Sequence, residues 1–111
     1  MRTQEERLAT RLNERIGIEH PLRSDDGQGG QQVSWQMLDE CWAAVTPVYG
    51  AGRETARAGQ AEALAGYRVH IRCRDDVLAT MRLRWRNRIL WIHSLHEQEG
   101  LLSMLVYEEQ L

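Results

Sequence analysis

A run of eight residues in the second half of the chain alternates between two kinds of side chain. In Tyr67-Arg68-Val69-His70-Ile71-Arg72-Cys73-Arg74, apolar residues take turns with Arg or His. Because successive side chains of a β-strand point to opposite faces, this pattern predicts a strand with one buried and one solvated face. Residues 80–85 alternate in the same way and place Met81, Leu83 and Trp85 on one face. The chain is therefore expected to be built mainly from strands.

Turn-forming clusters divide the N-terminal half into two further strands. Residues 15–20 alternate and predict a first strand that ends at Pro21, while residues 24–30 form a cluster of Ser, Asp and Gly that is typical of an exposed loop. A second extended run covers residues 32–48, but Leu38-Asp39-Glu40 interrupts its alternation. A bulge or bend is expected there, because a slipped register would turn every later side chain to the wrong face.

The remaining segments complete a small β-fold with one insert. Asn87 suits the left-handed backbone of a tight hairpin turn before a strand over residues 89–95, and a turn at 97–100 precedes a last strand over 101–108. Residues 53–64 are rich in Ala and predict a short helix with a thin apolar stripe. The expected fold is mainly β: a small closed or nearly closed barrel of about five to six antiparallel strands, with a helix and loop insert at 49–65 between the second and third strands.

Size and composition place the chain among small globular domains. Its 111 residues correspond to one domain, and 42% of them are hydrophobic. The longest apolar runs are too short for a membrane span, and the first residues lack the apolar core of a secretory signal, so a cytosolic product is expected. Residues 1–12 are predicted to be flexible or helical. The net charge of −2 does not predict a general attraction to nucleic acid.

Every basic residue of the chain is arginine. The sequence contains 14 Arg and no Lys. Codon bias in a GC-rich genome explains this composition, and so does a need for planar guanidinium groups in protein–protein contacts. Two rows follow strand parity: Arg68, Arg72 and Arg74, then Arg82, Arg84 and Arg86. If their strands pair, the rows would merge into a basic patch that could dock on an acidic surface; the alternative is an ordinary solvated face.

The motifs of catalytic and metal sites do not assemble in this sequence. His70 and Cys73 would point to opposite faces of their strand, and Cys41 stands alone, so no metal site and no cofactor are predicted. The carboxylate pairs Asp25-Asp26 and Asp75-Asp76 lie in turns, where Asp usually binds the local backbone. No serine is flanked by the glycines of a nucleophile elbow. The expectation is a protein that is not an enzyme and whose two cysteines are free thiols.

Several of these segments together resemble the phage head–tail joining family, also called head-completion, head-closure or stopper proteins. The resemblance runs from about Leu12 to Glu109 and depends on the order and spacing of its pieces. The pieces are Arg15-Ile16-Gly17-Ile18, Gly29-Gly30 with Trp35, Trp42 to Gly50, Arg53-Glu54, Ala58/Gln60/Ala61, Tyr67 to Arg74, Met81-Arg82-Leu83, Asn87-Arg88 and Glu108-Glu109. Asn87 departs from the family pattern, which usually has Gly at that hairpin.

The resemblance implies a structural role in a phage, a prophage or a gene transfer agent. Such a subunit would form a six- or twelvefold homo-oligomeric ring at the neck of the particle, between a portal-side adaptor and the tail terminator or tail tube. The ring would close the filled head and let double-stranded DNA pass without sequence-specific binding; no membrane is involved. The candidate subunit or partner contacts lie on the insert and on the arginine-rich face: Tyr49, Arg53, Glu54, Arg57, Gln60, Leu64, Arg82 and Arg84.

Two other classes of function remain as alternatives. The first is a small oligonucleotide-binding barrel of a non-viral host, which would need aromatic residues on a basic face. Trp85 and Tyr67 have the opposite parity to the arginines, and this counts against such a role. The second is a small hydrolase, which the absence of a catalytic constellation disfavours.

Overall fold

Six antiparallel strands account for most of the structure, a computed structural model that describes residues 12–48 and 66–109. The strands are β1 (Glu14–Asp25), β2 (Gln31–Val48), β3 (Gly66–Arg72), β4 (Arg82–Trp85), β5 (Arg88–Gln98) and β6 (Leu101–Glu108). The helix predicted at 53–64 lies outside the described residues, as does nearly all of the N-terminal segment 1–12. Those two expectations remain predictions.

The sheet closes on itself. Its strand order is β1-β2-β3-β6-β5-β4, and β4 returns to β1 by pairing Arg84 with Gly17 and Arg82 with Glu19. Because the sheet closes, each strand within the barrel has a paired neighbour on both sides, and no strand edge is left unpaired there. The prediction of a closed or nearly closed antiparallel barrel of five to six strands is confirmed.

Side chains fill the inside of the barrel. The strands direct one set of apolar residues inward, and nine members of this core are at most 1% exposed: Ile16, Ile18, Ala43, Val69, Ile71, Leu83, Leu90, Met104 and Val106. Met81 and Trp85 also belong to this core, so all three apolar residues of the predicted 80–85 run are buried. A six-stranded barrel is narrow enough for side chains to occupy its interior. The barrel formed by the described strands is therefore packed, and no pore runs through it.

The first two strands are longer than the sequence predicted at one end. β1 continues through Pro21 to Asp25, so the prediction that Pro21 ends the strand is wrong. Pro21 lies opposite Trp35 where β1 has β2 as its one paired neighbour, and a residue without an N–H is tolerated along such an open edge. The interruption at Leu38 is confirmed as a bulge, because Ile18 pairs with Asp39 while Glu19 pairs with Met37.

Tight turns connect the last three strands. Asn87 has φ 64°, as the sequence predicted, and its neighbour Arg86 also lies in the left-handed region with φ 53°. Glu99 and Gly100 repeat this arrangement with φ 53° and 82°. Two successive positive φ angles are typical of the turn that matches the twist of a two-residue hairpin.

Strands β3 and β4 are shorter than predicted, ending at Arg72 and beginning at Arg82. Val77 and Met81, in the connection between them, are buried and close one end of the barrel. Tyr67 and Trp85 pack edge to face at a ring distance of 5.2 Å and belong to the same interior face. Across 12–48 and 66–109, no helix is long and apolar enough to cross a membrane.

Candidate functional site

A two-stranded arm extends from the barrel where β1 and β2 continue beyond their pairing with the other strands. β1 pairs with β4 through Glu19, and β2 pairs with β3 from Ala44 onward. Beyond Glu19, six residue pairs from His20–Gln36 to Asp25–Gln31 belong to the β1–β2 hairpin alone. We call residues 20–36 the arm; its strands extend about 20 Å at the usual rise per residue.

The arm exposes two large apolar side chains, one on each face of the hairpin. Leu22 is 42% exposed and Val33 is 44% exposed. Leu22 pairs with Ser34 and Val33 pairs with Arg23, and side chains of successive pairs point to opposite faces. Met37 and Leu38 are also exposed where the arm joins the barrel. An isolated two-stranded hairpin is marginally stable in water, so the arm depends on its anchoring at the barrel.

The base of the arm is held to the barrel by a cluster that we call the clamp: Glu19, Trp35, Arg82 and Trp91. The guanidinium carbon of Arg82 lies 4.2 Å from the ring centroid of Trp35 and 5.6 Å from that of Trp91. The two indole rings pack edge to face with their centroids 5.4 Å apart. Arg82 Nε donates a hydrogen bond of 2.6 Å to Glu19 Oε1, and both side chains are nearly buried. The clamp fixes the direction of the arm relative to the barrel.

A compact turn closes the tip of the arm. Asp26 Oδ1 accepts hydrogen bonds from the backbone N–H groups of Gln28, at 2.8 Å, and Gly30, at 3.0 Å. These backbone donors lower the pKa of Asp26 below its ordinary value. Asp25 accepts a further bond from the N–H of Gly27. The turn role predicted for this Asp pair is thus what the geometry shows, and it leaves the tip with two exposed carboxylates.

A cleft of about 560 Å³ lies beside the arm's base, between the free edge of β2 and the chain that follows β3. β2 and β3 are paired as far as Ala44 and His70, and past this point they diverge. Trp42, which is 54% exposed, stands at the cleft with the guanidinium of Arg15 5.1 Å from its ring. The cleft is lined by Arg15, Asp39, Glu40, Cys41, Trp42, Arg72, Cys73, Arg74, Asp75 and Asp76.

The cleft is lined by three arginines and four carboxylates, and among the described residues all but Arg72 and Asp75 form ion pairs. Arg74 bridges Asp39 at 3.0 Å and Asp76 at 2.6 Å, and these hydrogen bonds lower the pKa of both carboxyls. Arg15 lies 3.7 Å from Glu40. Arg72 is exposed and has no carboxylate within ion-pair distance among the residues at 12–48 and 66–109.

The predicted merger of two arginine rows does not occur. β3 pairs with β2 and β6, whereas β4 pairs with β5 and β1, so the two rows lie on separate parts of the barrel. Arg82 and Arg84 both face Glu19, Arg86 pairs with Glu14, and Arg88 pairs with Glu108. Each arginine of the β4 row therefore lies near a carboxylate of the same chain, although Arg82 and Arg84 share Glu19.

Two of the eight predicted contact residues can be placed. Arg82 belongs to the clamp and its side chain is 13% exposed, while Arg84 is 44% exposed and lies 3.7 Å from Glu19. Tyr49, Arg53, Glu54, Arg57, Gln60 and Leu64 lie outside the described residues. Residues 48 and 66, at the two ends of the insert, are paired with each other across β2 and β3.

Aromatic residues lie on both the inner and the outer face of the barrel. Trp85 and Tyr67 do face the interior, as predicted, but Trp35 and Trp91 share the outer face with Arg82. This outer arrangement does not make a nucleic-acid surface, because Arg82 is already bound to Glu19 and the indole rings enclose its guanidinium group.

The candidate reactive groups show no assembled catalytic or metal site in the described part of the chain. Cys41 and Cys73 are free thiols with raised pKa values, Cys41 because it is partly buried and Cys73 because of a hydrogen bond to Glu97. Burial also lowers the pKa of His70, with Arg68 and His96 acting in the same direction. No group of three or more metal-ligating side chains occurs in 12–48 or 66–109.

The arm and the cleft are surface features that the sequence did not predict. A signal for the arm was present, since Val33, Trp35 and Met37 recur at every second position in a segment bounded by turn residues. Nothing in the local sequence shows that the pairing of β2 with β3 stops at Ala44. The cleft depends on this difference in length between the two strands.

Comparisons with known proteins agree with this architecture. Among solved structures, the chain is similar to one in the virion of a native gene transfer agent particle, with 30% identity, a TM-score of 0.69, and coverage of 90% of this chain and 96% of the other. It is also similar to a Shigella flexneri 2a protein solved in solution, with 26% identity, a TM-score of 0.68, and coverage of 88% and 93%. The xkdH protein of the phage-like element PBSX of Bacillus subtilis shares the fold at 10% identity, with a TM-score of 0.53 and coverage of 86% and 93%. No curated protein matches the chain.

The family model for phage head completion proteins matches residues 7–108, which include all six strands, the arm and the cleft. This match spans nearly the whole sequence and agrees with the resemblance drawn from the sequence motifs. The chain belongs to the phage head completion protein family.

Proposed function

We propose that this head completion protein assembles as a homo-oligomeric ring at the neck of a phage or gene transfer agent particle, between a portal-side adaptor and the tail. The observation that carries the proposal is the family match over residues 7–108. The similarity to a chain of a gene transfer agent virion supports the same setting, since it extends over 96% of that chain. In this role the protein is a structural component and catalyses no reaction.

Because the barrel is packed, the unit that we propose to surround DNA is a ring of subunits and not a single subunit. Nine interior side chains are at most 1% exposed, so DNA cannot pass through the barrel itself. A channel at the neck would have to lie between several subunits arranged about an axis. We propose a six- or twelvefold ring in which double-stranded DNA passes along this axis without base-specific contacts.

The experiment that tests this function is deletion of the gene in a host that produces the particle. Particles would be examined by electron microscopy, and protected DNA would be measured after nuclease treatment. The proposal predicts heads that lose DNA or lack tails, with rescue by the wild-type gene. Normal, tailed and filled particles without the protein would contradict it.

The predicted contacts on the insert and on the arginine-rich face form part of this proposal. We propose that Tyr49, Arg53, Glu54, Arg57, Gln60 and Leu64 form one subunit or partner contact, and that Arg84 belongs to another. Arg82 is a less suitable residue for a test because it is needed for the clamp within the subunit.

A charge reversal at Arg84 tests this contact with a closely matched control. Arg84 is 44% exposed and its Nε is 3.7 Å from Glu19, while Arg88 is 42% exposed and its Nε is 3.6 Å from Glu108. Arg84→Glu should reduce the yield of complete particles and keep the thermal unfolding of the isolated subunit close to that of Arg88→Glu. Equal particle yields for the two variants would remove Arg84 from the interface.

A further inference from the structure

The two cysteines of the chain line the same cleft from opposite walls. Cys41 belongs to β2 and Cys73 follows the end of β3, and both are free thiols in this structure. We propose that these two cysteines are a redox modification site, in which oxidation joins them in a disulfide within one subunit. The bond would close the cleft and tie β2, next to the base of the arm, to the chain that follows β3.

The register of the β2–β3 ladder makes the two cysteines cross-strand partners. The last pair of the ladder is Ala44 with His70, and every pair back to Val48 with Gly66 keeps the same register. Three residues further along each antiparallel strand, the positions that face each other are Cys41 and Cys73. The two thiols would therefore lie directly opposite each other if the pairing of the strands continued to them.

Both side chains also belong to the inner face of their strands. Ala43 and Ile71 are core residues, and Cys41 and Cys73 are each two positions away from one of them, which is the same face of a strand. Cys41 packs against the core. Opposite residues of an antiparallel ladder have Cα atoms about 4.5–5.5 Å apart, within the range of about 4.4–6.8 Å that a disulfide requires. Continuation of the ladder would thus bring the thiols to bonding distance without a change of register or face.

The two walls of the cleft are already close to each other. The backbone N–H of Cys73 donates a 3.3 Å hydrogen bond to the carbonyl of Gly100, so Cys73 keeps the line of β3 beside β6. On the other wall, Asp39 Oδ2 lies 3.0 Å from Arg74 Nη1, so a single arginine side chain spans the opening. Among the described residues, no strand pairs with β2 on the cleft side of residues 41–43, and closure would give those backbone groups partners.

The oxidation is a thiol–disulfide exchange with a low-molecular-weight disulfide such as oxidised glutathione. The exposed Cys73, as its thiolate, attacks a sulfur of the reagent, forms a mixed disulfide and releases one reduced thiol. The thiolate of Cys41 then attacks the Cys73 sulfur, which forms the Cys41–Cys73 bond and releases the second reduced thiol. Two electrons pass to the reagent, and the two protons of the cysteines end on the two released thiols.

The state of this site would follow the surroundings of the particle. Disulfides are rare in a reducing cytosol and persist at the surface of virions. We therefore expect the dithiol during assembly in the cell and the disulfide in released particles, and this part rests on the proposed function. Burial raises the pKa of Cys41, and a hydrogen bond to Glu97 raises that of Cys73, so neither thiolate is stabilised and the disulfide is favoured under oxidising conditions.

A redox titration of the isolated subunit tests the disulfide independently of the particle. The wild-type subunit would be equilibrated with different ratios of reduced to oxidised glutathione, quenched with acid and treated with an alkylating agent. Mass spectrometry of the intact protein then counts the alkylated thiols. In excess oxidised glutathione, the expected product is a monomer with no alkylated thiol and no attached glutathione. In a large excess of reduced glutathione, as in the cytosol, both thiols should be alkylated.

The oxidised subunit should also unfold at a higher temperature than the reduced one. The bond closes a loop of about 30 residues, and the loss of entropy in the unfolded chain predicts a rise of about 10 °C, which a reductant should reverse. Both states have the same sequence, so no substitution enters this comparison. New hydrogen bonds across the closed cleft should slow amide exchange of residues 41–43, measured by mass spectrometry of peptides.

The matched control moves one thiol by a single residue. Arg72 is exposed and lies on the face of β3 opposite to that of Cys73. The double variant Arg72→Cys, Cys73→Ser keeps two thiols and one exposed cysteine but breaks the alignment with Cys41. It should form no disulfide within the subunit, and its unfolding temperature should be the same with and without the oxidant.

The other outcomes overturn the inference. A dithiol that persists in excess oxidised glutathione, a stable mixed disulfide on Cys73 or a disulfide-linked dimer would each exclude the bond between Cys41 and Cys73. An intramolecular disulfide that lowers the unfolding temperature, or that forms equally in the control variant, would contradict continuation of the ladder. Full oxidation at the cytosolic glutathione ratio, or free thiols in released particles, would contradict the dependence on the surroundings. Each of these results leaves the proposed role in the neck intact, since deletion of the gene tests that role separately.

Discussion

The guanidinium carbon of Arg82 lies 4.2 Å from the centre of the Trp35 ring and joins a strand of the barrel to the base of the arm. The same guanidinium group donates a 2.6 Å hydrogen bond to Glu19, and the two side chains are 13% and 12% exposed. An arginine that the sequence pattern assigned to a solvated row is thus one of the less accessible charged groups of the described chain. Its first role is to hold the subunit together.

Replacement of Arg82 by methionine should destabilise the subunit. The change keeps the apolar stem but removes the hydrogen bond to Glu19 and the contact with both indole rings. The expected loss in the free energy of unfolding is about 2 kcal/mol, since hydrogen bonds to charged groups and partly buried cation–π contacts each contribute on this scale. Urea denaturation measures it.

A double-mutant cycle separates the ion pair from the stacking. In the Arg82→Met background, Glu19→Gln should cost less than it does in the wild type, because Glu19 has already lost its main partner. Additive effects of the two substitutions would contradict a coupled pair. Arg82→Lys should fall between wild type and Arg82→Met, because an ammonium group keeps the charge but not the planar stacking.

His70 should make the stability fall in mildly acidic solution. Burial lowers the pKa of His70 in the folded state, and its Nδ1 is buried without a hydrogen-bond partner. Between its unfolded value of about 6.5 and the lower folded value, the unfolded chain binds more protons, so stability is complete above this window and declines as the pH falls through it. His70→Gln should flatten the dependence of the unfolding temperature on pH between about 7 and 5.

The acidic groups of the chain act in a different pH range. The pKa values of Asp26, Asp39 and Asp76 are lowered by hydrogen bonds, so their contributions are lost below about pH 4. An unchanged slope in His70→Gln would show that another group titrates in this window.

Cys73 should react slowly with alkylating agents in spite of its exposure. Its hydrogen bond to Glu97 raises the pKa of the thiol, so less of the reactive thiolate is present near pH 8. Glu97→Gln should lower this pKa and speed up alkylation by iodoacetamide, measured by mass spectrometry of the intact protein. Equal rates in the wild type and Glu97→Gln would contradict the influence of Glu97 on the thiol.

Glu99→Asn should stabilise the β5–β6 hairpin. Glu99 has φ 53° and precedes Gly100, whose φ is 82°. A left-handed backbone costs most L-residues about 1–2 kcal/mol, and asparagine adopts it more readily than glutamate. The resulting Asn-Gly pair is the preferred sequence for this turn, and a gain of about 0.5–1 kcal/mol is expected in thermal unfolding. Gln98→Asn, one residue earlier in β5, is the control and should not stabilise the protein.

The barrel could be predicted because the signals for its strands and turns lie in residues that are neighbours in the sequence. Strict alternation in β3 and β4 identifies their inward residues, and the bulge at Leu38 and the left-handed Asn87 also follow from neighbouring residues. The family match then supports the resemblance that the motifs had suggested.

The anchoring of the arm and the cleft were harder to predict because they depend on residues that are distant in the sequence. Arg82 meets Glu19 across 63 residues, and the cleft exists because β3 stops pairing with β2 at Ala44. Strand parity could assign Arg82 to the outer face, but it could not show that two tryptophans from other strands would cover it there. The missed extension of β1 past Pro21 has the same origin, since it depends on which edge of the strand is open.

The six residue pairs of the arm lie beyond the pairings that close the barrel. Removal or insertion of two residues on each of its strands would therefore leave every core contact in place and return each side chain to its original face. Each such step would change the reach of the arm by about 7 Å. The reach of the arm can thus be lengthened or shortened without redesigning the barrel that carries it.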